Sequence, residues 1–372
     1  MAANFKWLLN RKAFRHPNRI SQTLSFLAGL VIGSGVKEIV SYIDLPKKFK
    51  SNSLEGNLPD FSDNEEIFSP STKPLLRYGL PQSPSTLVYS NHVVQYDCSR
   101  KIPLWVAQHI TKEKLAGLAD RSSFTFKTDV NVPEKFRATN EDFLNSGYTR
   151  GHMIPAADSK RDSSSMKESF LLSNIVPQNF ENNVGFWYRL EAYCRSLSKR
   201  FSDVYVISGP LFLSENTSSQ NEPKFIKYQV IGKNEVAVPT HLYKVILVEN
   251  NNKPRAIGAF IIPNQPISDE KTLLDYQVKL EDLEKLAGFN FFPKLVDLNR
   301  VGNLCLVDGC KTITKAMADT MNFSRTIKKV KSIEELDMIW KSINEKNKNV
   351  DKKLIDEYWK KKEALKNAIK PS

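Results

Sequence analysis

The residues GYTRGHMIPAAD, Gly147 to Asp158, hold one of only five histidines in a chain of 372 residues. His152 stands beside Arg150 and just after a Gly–Tyr turn. On its own the stretch admits two readings, a solvated loop histidine or the base of an active site. The forty residues that follow, and the charge of the whole chain, bear on the choice.

Asn182 to Arg200, NNVGFWYRLEAYCRSLSKR, has helical spacing, with an apolar stripe through Trp187, Leu190, Cys194 and Leu197. Glu191 falls on or beside that stripe. A carboxylate facing a core is costly unless paired, hydrogen-bonded or near a cation. Asn183, two turns earlier, projects into roughly the same sector. The bland alternative is that Asn183 caps the helix and Glu191 pairs with an arginine, and spacing alone leaves it open. The preceding SFLLSNIVPQNFENN adds Asn174, Gln178, Asn179 and Asn182, a density of amides suited to orienting other groups. Upstream lie Arg121 and Arg150. Arginine forks match phosphate oxygens, and a histidine titrating near neutrality can deprotonate water. A hard divalent cation keeps several waters and needs only one or two protein oxygens. This set of residue types can build a phosphodiester site.

The charge balance agrees. The chain carries a net +13 with 41% apolar residues, which suits a polyanionic partner, nucleic acid or an anionic membrane surface. A basic soluble surface without a dedicated partner is the alternative. The four cysteines show no CxxC spacing, which argues against a zinc ribbon. Cys305 and Cys310 are near enough to bridge, but buried thiols are the expected state.

The first acidic residue is Glu38, preceded by Lys6, Arg11, Lys12, Arg15 and Arg19 and an uncharged run from Ile20 to Val36. This reads as a mitochondrial presequence doubling as an inner-membrane anchor over residues 1–44, with a cleaved secretory signal as the rival. A polar tether follows over 45–75, a globular core over 76–311 and a helical wing over 312–372. Within the core, STLVYSNHVVQYD alternates as a strand or hairpin. PLWVAQHITKEKLAG has helical spacing through Trp105, Val106, His109 and Ile110. VYVISGPLFL, NEVAVPTHLYKVILVEN and PRAIGAFIIPN read as buried strands, and DEKTLLDYQVKLEDLEKLAG as a helix with a glycine stop. The fold class is therefore α+β with a central, mostly antiparallel sheet. In the wing, SIEELDMIWKSIN opens on a capping box, Ser332 and Glu335. One apolar stripe runs through Ile333, Leu336, Ile339, Trp340 and Ile343, another through Leu354, Ile355, Tyr358 and Trp359. His92, His109 and His241 read as structural, His16 as part of the presequence and Cys194 as core. Lys360 to Lys362 read as a solvated face or, beside Trp359, a grip on a nucleic-acid backbone.

At these residues the sequence resembles the DNA/RNA non-specific endonucleases with a ββα-metal (His-Me) finger, and within them the EXOG-type mitochondrial branch. The family motif is Asp-Arg-Gly-His; here it reads Thr149-Arg150-Gly151-His152. LLSNIVPQNFENNVGFWYRLEAYCR, VYVISGPL, YQVIG, VAVPTHLYKVIL and LEKLAGFNFFP match in the same order, over roughly residues 76 to 325. The resemblance implies a ββα-metal nuclease core with a small C-terminal helical appendage. It implies His152 as general base, Asn183 as direct Mg²⁺ ligand (Mn²⁺ substituting) and Glu191 as acceptor for metal-bound water. It gives Arg121 and Arg150 the scissile phosphate and Asn174 a supporting role toward His152. The missing Asp at Thr149 bears only on tuning of the site. Implied with these are 5′-phosphate and 3′-hydroxyl products from DNA or RNA, endonuclease and 5′–3′ exonuclease action, a homodimer, and an inner-membrane location facing the intermembrane space. Two other classes remain: a catalytically idle nucleic-acid-binding membrane tether, which needs no base, and a phosphodiesterase of small substrates.

Overall fold

The computed structural model describes residues 86–214, 223–295, 300–346 and 350–369. The presequence, anchor and tether expected over residues 1–75 lie outside the described residues. Among the described residues no helix is long and apolar enough to cross a membrane.

One sheet organises the core. Its strands are β1 (Thr86–Val88), β2 (His92–Asp97), β3 (Ile102–Ile110), β6 (Asp203–Leu211), β9 (His241–Asn250), β10 (Lys253–Pro263) and β11 (Gln277–Val278), hydrogen-bonded in that order. Each neighbouring pair is antiparallel, while β12 (Gly302–Asn303) joins β10 in parallel. Two short antiparallel pairs lie off this sheet, β4 (Thr149–His152) with β5 (Ile175–Gln178) and β7 (Val230–Ile231) with β8 (Val236–Ala237). The β9–β10 hairpin turns on Asn251 and Asn252, at φ of +52° and +59°. Two successive left-handed residues give a turn whose twist matches the strands, and asparagine tolerates that backbone. One sheet face carries Val94, Val106, Val206 and Ile246 against Trp187, Leu190 and Leu197. The other carries Tyr243, Val245 and Ala259 against Leu280, Leu283 and Phe291.

Burial on both faces overturns one expectation from spacing. Trp105 to Ile110, with its helical pattern, is not helix but part of strand β3. Val106 and Ile110 pack in the larger cluster while Trp105 packs in the smaller. Apolar residues on both faces erase the period of two that marks a strand. His109 therefore sits on a strand, stacked on Tyr205 at 4.6 Å with Nε2 2.7 Å from the Asp203 carboxylate. The expected single helix over 269–288 also divides. Leu273–Tyr276 is a 3₁₀ turn, β11 follows, and only Leu280–Ala287 is α-helix, stopped by Gly288 at φ +84°.

Cys305 and Cys310, expected as thiols, form a disulfide with Cα atoms 4.6 Å apart. Gly309 at φ +81° and Cys310 at φ +49° turn the chain back at the end of the Leu304–Asp308 helix, which brings the sulfurs together.

The wing helices are Lys315–Lys329, Ile333–Lys346 and Lys352–Ile369. Ile327, Val330, Leu336, Ile343, Leu354 and Tyr358 form their own buried cluster. Ser332 Oγ accepts from the Glu335 N–H at 3.2 Å, and the Glu335 carboxylate accepts from the Lys331 N–H at 3.3 Å. The reciprocal bond thus falls one residue before the cap. Lys362 is tied to Asp337 at 2.7 Å and Lys361 to the Lys328 carbonyl at 3.1 Å. Two lysines of the triplet are thereby engaged within the wing, while Trp359 is exposed.

Candidate active site

The small β4–β5 sheet carries the sequence that opened the problem. Its antiparallel register sets Thr149 opposite Gln178 and His152 opposite Ile175. Gly151 is required for this approach: a Cβ there would lie 2.1 Å from Gln178 Oε1. Helix Phe180–Asn182 follows directly, and Tyr188–Leu197 continues it. Asn179 caps this helix, its side chain accepting from the Asn182 N–H at 2.9 Å. Asn183 is therefore not the cap.

Between the two helical pieces, Asn183–Trp187 forms a π-helical turn. In a regular α-helix, eight residues would leave Asn183 and Glu191 about 80° apart around the axis. One extra residue taken into a turn removes about 100° of rotation and leaves them about 20° apart. The π-turn thus gives the two residues the common sector that α-spacing only approximated.

His152 is held from several sides. The Trp187 indole N–H donates to its carbonyl at 3.2 Å, fastening β4 to the helix. Its ring lies 5.1 Å from Phe126 and 5.2 Å from Phe170. The same two phenylalanines carry the arginines: Arg150 lies 5.5 Å from the Phe126 centroid and Arg121 5.7 Å from that of Phe170. Arg150 is further pinned by donating to the Asn140 carbonyl at 2.8 Å. An aromatic pair therefore gathers all three groups. Burial pushes the His152 imidazole down to about 3, and the Arg121 charge adds to this. It therefore titrates well below the near-neutral range expected from the sequence, is neutral near pH 7, and its Nε2 has no hydrogen-bond partner among the described residues.

Asn183 donates through Nδ2 to Thr149 Oγ1 at 3.0 Å. Its Oδ1 accepts no hydrogen bond from the described residues. Glu191 is buried, and burial pushes its carboxyl up to about 7 against the lowering effects of Arg195, Lys244 and Arg121. Behind it lies a polar network. Arg195 pairs with buried Asp158 at 2.8 Å, and Gln108 donates to the same carboxylate at 3.1 Å. Lys244, fully buried on β9, donates to Ser208 at 2.5 Å and lies 4.5 Å from the Trp187 ring.

The donor set suits one kind of metal. Among the described residues no three His, Cys, Asp or Glu side chains form a cage. An uncommitted amide oxygen in the same helical sector as a buried carboxylate fits a hard cation that keeps most of its waters, as Mg²⁺ does.

The Asn174 side chain bonds to backbone. It accepts from the Ile154 N–H at 3.0 Å and donates to the carbonyls of Ile154 at 3.0 Å and Ser169 at 2.8 Å. It fastens the backbone two residues beyond His152 and does not touch the imidazole. Phe126, Phe170 and Lys244 belong to the site without having stood out in the sequence. A lysine inside the otherwise buried run HLYKVILVEN was the one signal available; the phenylalanines gave none. Arg325, on the wing helix, lies 5.2 Å from the Tyr188 ring, and its charge opposes that of Arg121.

Comparison with known proteins decides the family. Residues 71–298 match the family model described as DNA/RNA non-specific endonuclease. The chain belongs to the DNA/RNA non-specific endonuclease family. It is 41% identical over 370 residues to the Xenopus laevis protein named "Nuclease EXOG, mitochondrial", covering 98% of this chain and 96% of that one. The human protein of the same name is 40% identical, covering 94% and 95%. Among solved structures, a chain from the EndoG/EndoGI complex aligns at a TM-score of 0.55 and 38% identity, covering 60% of this chain and 91% of that one. The β4–β5 sheet and the helix after it are thus part of a nuclease of this family, a hydrolase of phosphodiester bonds.

Proposed function

We propose that the chain is a Mg²⁺-dependent, sugar-non-specific nuclease acting on DNA, with RNA as a second substrate. It leaves 5′-phosphate and 3′-hydroxyl ends and combines endonuclease with 5′–3′ exonuclease action. The observation that carries the reading is the gathering of His152, Arg121 and Arg150 on Phe126 and Phe170. His152, neutral near pH 7, takes the proton of the attacking water. Arg121 and Arg150 hold the scissile phosphate and neutralise charge as it develops. Asn183 Oδ1 and, through water, Glu191 would hold Mg²⁺, which supplies charge neutralisation at the phosphate. Trp187 positions the His152 backbone, and Asn174 holds the backbone two residues beyond it. Contacts to the nucleic-acid backbone dominate, so sequence preference is slight and binding is salt-sensitive.

The location is mitochondrial, which the names of the EXOG relatives support. The uncharged run Ile20 to Val36 behind a basic leader supports an inner-membrane tether facing the intermembrane space. A homodimer is the assembly that the family resemblance implies. The test is incubation of full-length protein with 5′- and 3′-labelled DNA, in Mg²⁺ or EDTA. Cleavage in Mg²⁺ alone supports the reading, and the label pattern separates end-directed from internal cuts. Cleavage undiminished by EDTA overturns the metal dependence.

A further inference from the structure

An asparagine that offers its oxygen to a cation must be held against a flip, because the amide's two ends differ only in which atom donates. Asn183 has one protein partner for its amide among the described residues, Thr149 Oγ1, which accepts from Nδ2 at 3.0 Å. That hydroxyl has one proton, and it is spent: Thr149 Oγ1 donates to the Gln178 carbonyl at 3.0 Å. A hydroxyl whose proton is committed elsewhere can only accept. It therefore selects the NH₂ end of Asn183 and leaves Oδ1 to face the other way. Three features keep the hydroxyl in place. Thr149 lies directly opposite Gln178 in the β4–β5 register. Its branched Cβ restricts the side-chain rotamer. Gln178 is itself buried and donates to Asn182 at 2.8 Å, so the carbonyl that takes the proton is on a fixed residue.

We propose that Thr149 is a positioning residue that locks the Asn183 amide with Oδ1 toward the cation. The chain Gln178 carbonyl, Thr149 hydroxyl, Asn183 amide is a one-way hydrogen-bond relay that fixes the polarity of a metal ligand. The proposal rests on Asn183 being that ligand.

The test is Mn²⁺ binding to purified full-length protein, read by the paramagnetic resonance signal of free Mn²⁺, without substrate. Asn183→Ala checks the underlying reading: binding retained there overturns the ligand assignment and the lock with it. Given that loss, Thr149→Val weakens Mn²⁺ binding about tenfold, the scale of losing a group that orients a ligand. Thr149→Ser, which keeps the hydroxyl but not the branched Cβ, binds more tightly than Thr149→Val. Asn183→Asp supplies the decisive background. Its two carboxylate oxygens are equivalent and need no lock, so adding Thr149→Val costs no further affinity. Should the valine variant fail to fold by circular dichroism, Thr149→Ala takes its place in both backgrounds. Unchanged binding in folded Thr149→Val, equal losses in the parent and Asn183→Asp backgrounds, or a serine variant as weak as valine would each overturn the proposal.

Discussion

Gly151 has no room for a side chain. A methyl group there would meet the buried Gln178 side chain, whose amide is already bonded to Asn182. Gly151→Ala is expected to destabilise by about 1–3 kcal/mol, as overpacking does, and to displace β4. Urea melts and a cleavage assay check both. Asn174→Ala removes three hydrogen bonds to the Ile154 and Ser169 backbones. At about 1 kcal/mol each, the loss is roughly 3 kcal/mol, and the rate falls without any change at the imidazole. His92 gives a pH signature. Burial pushes it down to about 4, so the unfolded chain takes up the proton first as pH falls. Its contribution is fully present above about pH 6.5 and is lost as pH falls through about 4. The shift corresponds to about 3 kcal/mol at most. Unfolding free energies of wild type and His92→Gln, measured between pH 4 and 7, should differ in slope, with the wild type steeper. Among individual residues the sequence offered candidates where chemistry demands a residue type: His152, the two arginines, Asn183 and Glu191. It was not legible where packing decides. Phe126 and Phe170 join the candidate site only because the fold brings their rings against His152.

The helix that carries Asn183 and Glu191 is anchored by charge as well as by its apolar stripe. Arg195 is the only ion-pair partner among the described residues for Asp158, whose side chain is 1% exposed. Arg195→Met strands that carboxylate, at a cost of about 3–5 kcal/mol. Thermal or denaturant unfolding measures it, and Asp158→Asn in the same background should recover much of the loss. The stripe of this helix was readable because one face meets the sheet and the other does not. Strand β3 was not, since β2 and β6 flank it and both its faces are covered. The π-turn was equally invisible: Gly185 in NVGFW weakens helix propensity but does not say that an extra residue enters the turn. The Cys305–Cys310 bridge depends on left-handed backbone at Gly309 and Cys310, which cysteine spacing does not reveal.

Over the full chain, the net charge of +13 becomes useful only where cations converge. The wing brings Arg325 close enough to Arg121 for the two charges to repel, and a polyanion relieves that repulsion. Arg325→Ala should weaken DNA binding across sequences and reduce the salt-dependence slope by about 1, as measured by binding titrations in increasing salt. The α+β class and the antiparallel sheet were legible from run lengths and turn residues. The docking of the wing beside the site was not, because its apolar stripes mostly fill its own core and the Tyr188–Met321 contact is carried by residues with no distinguishing pattern.

The proposed mechanism turns on His152 performing the proton transfer in a site otherwise able to bind DNA. Single-turnover cleavage of labelled DNA in Mg²⁺, with DNA affinity measured in parallel, compares wild type with His152→Ala. The expected rate is lower by about 10²–10⁴-fold at unchanged affinity. Cleavage by His152→Ala at the wild-type rate would contradict the assignment and send the search for the base elsewhere in the site.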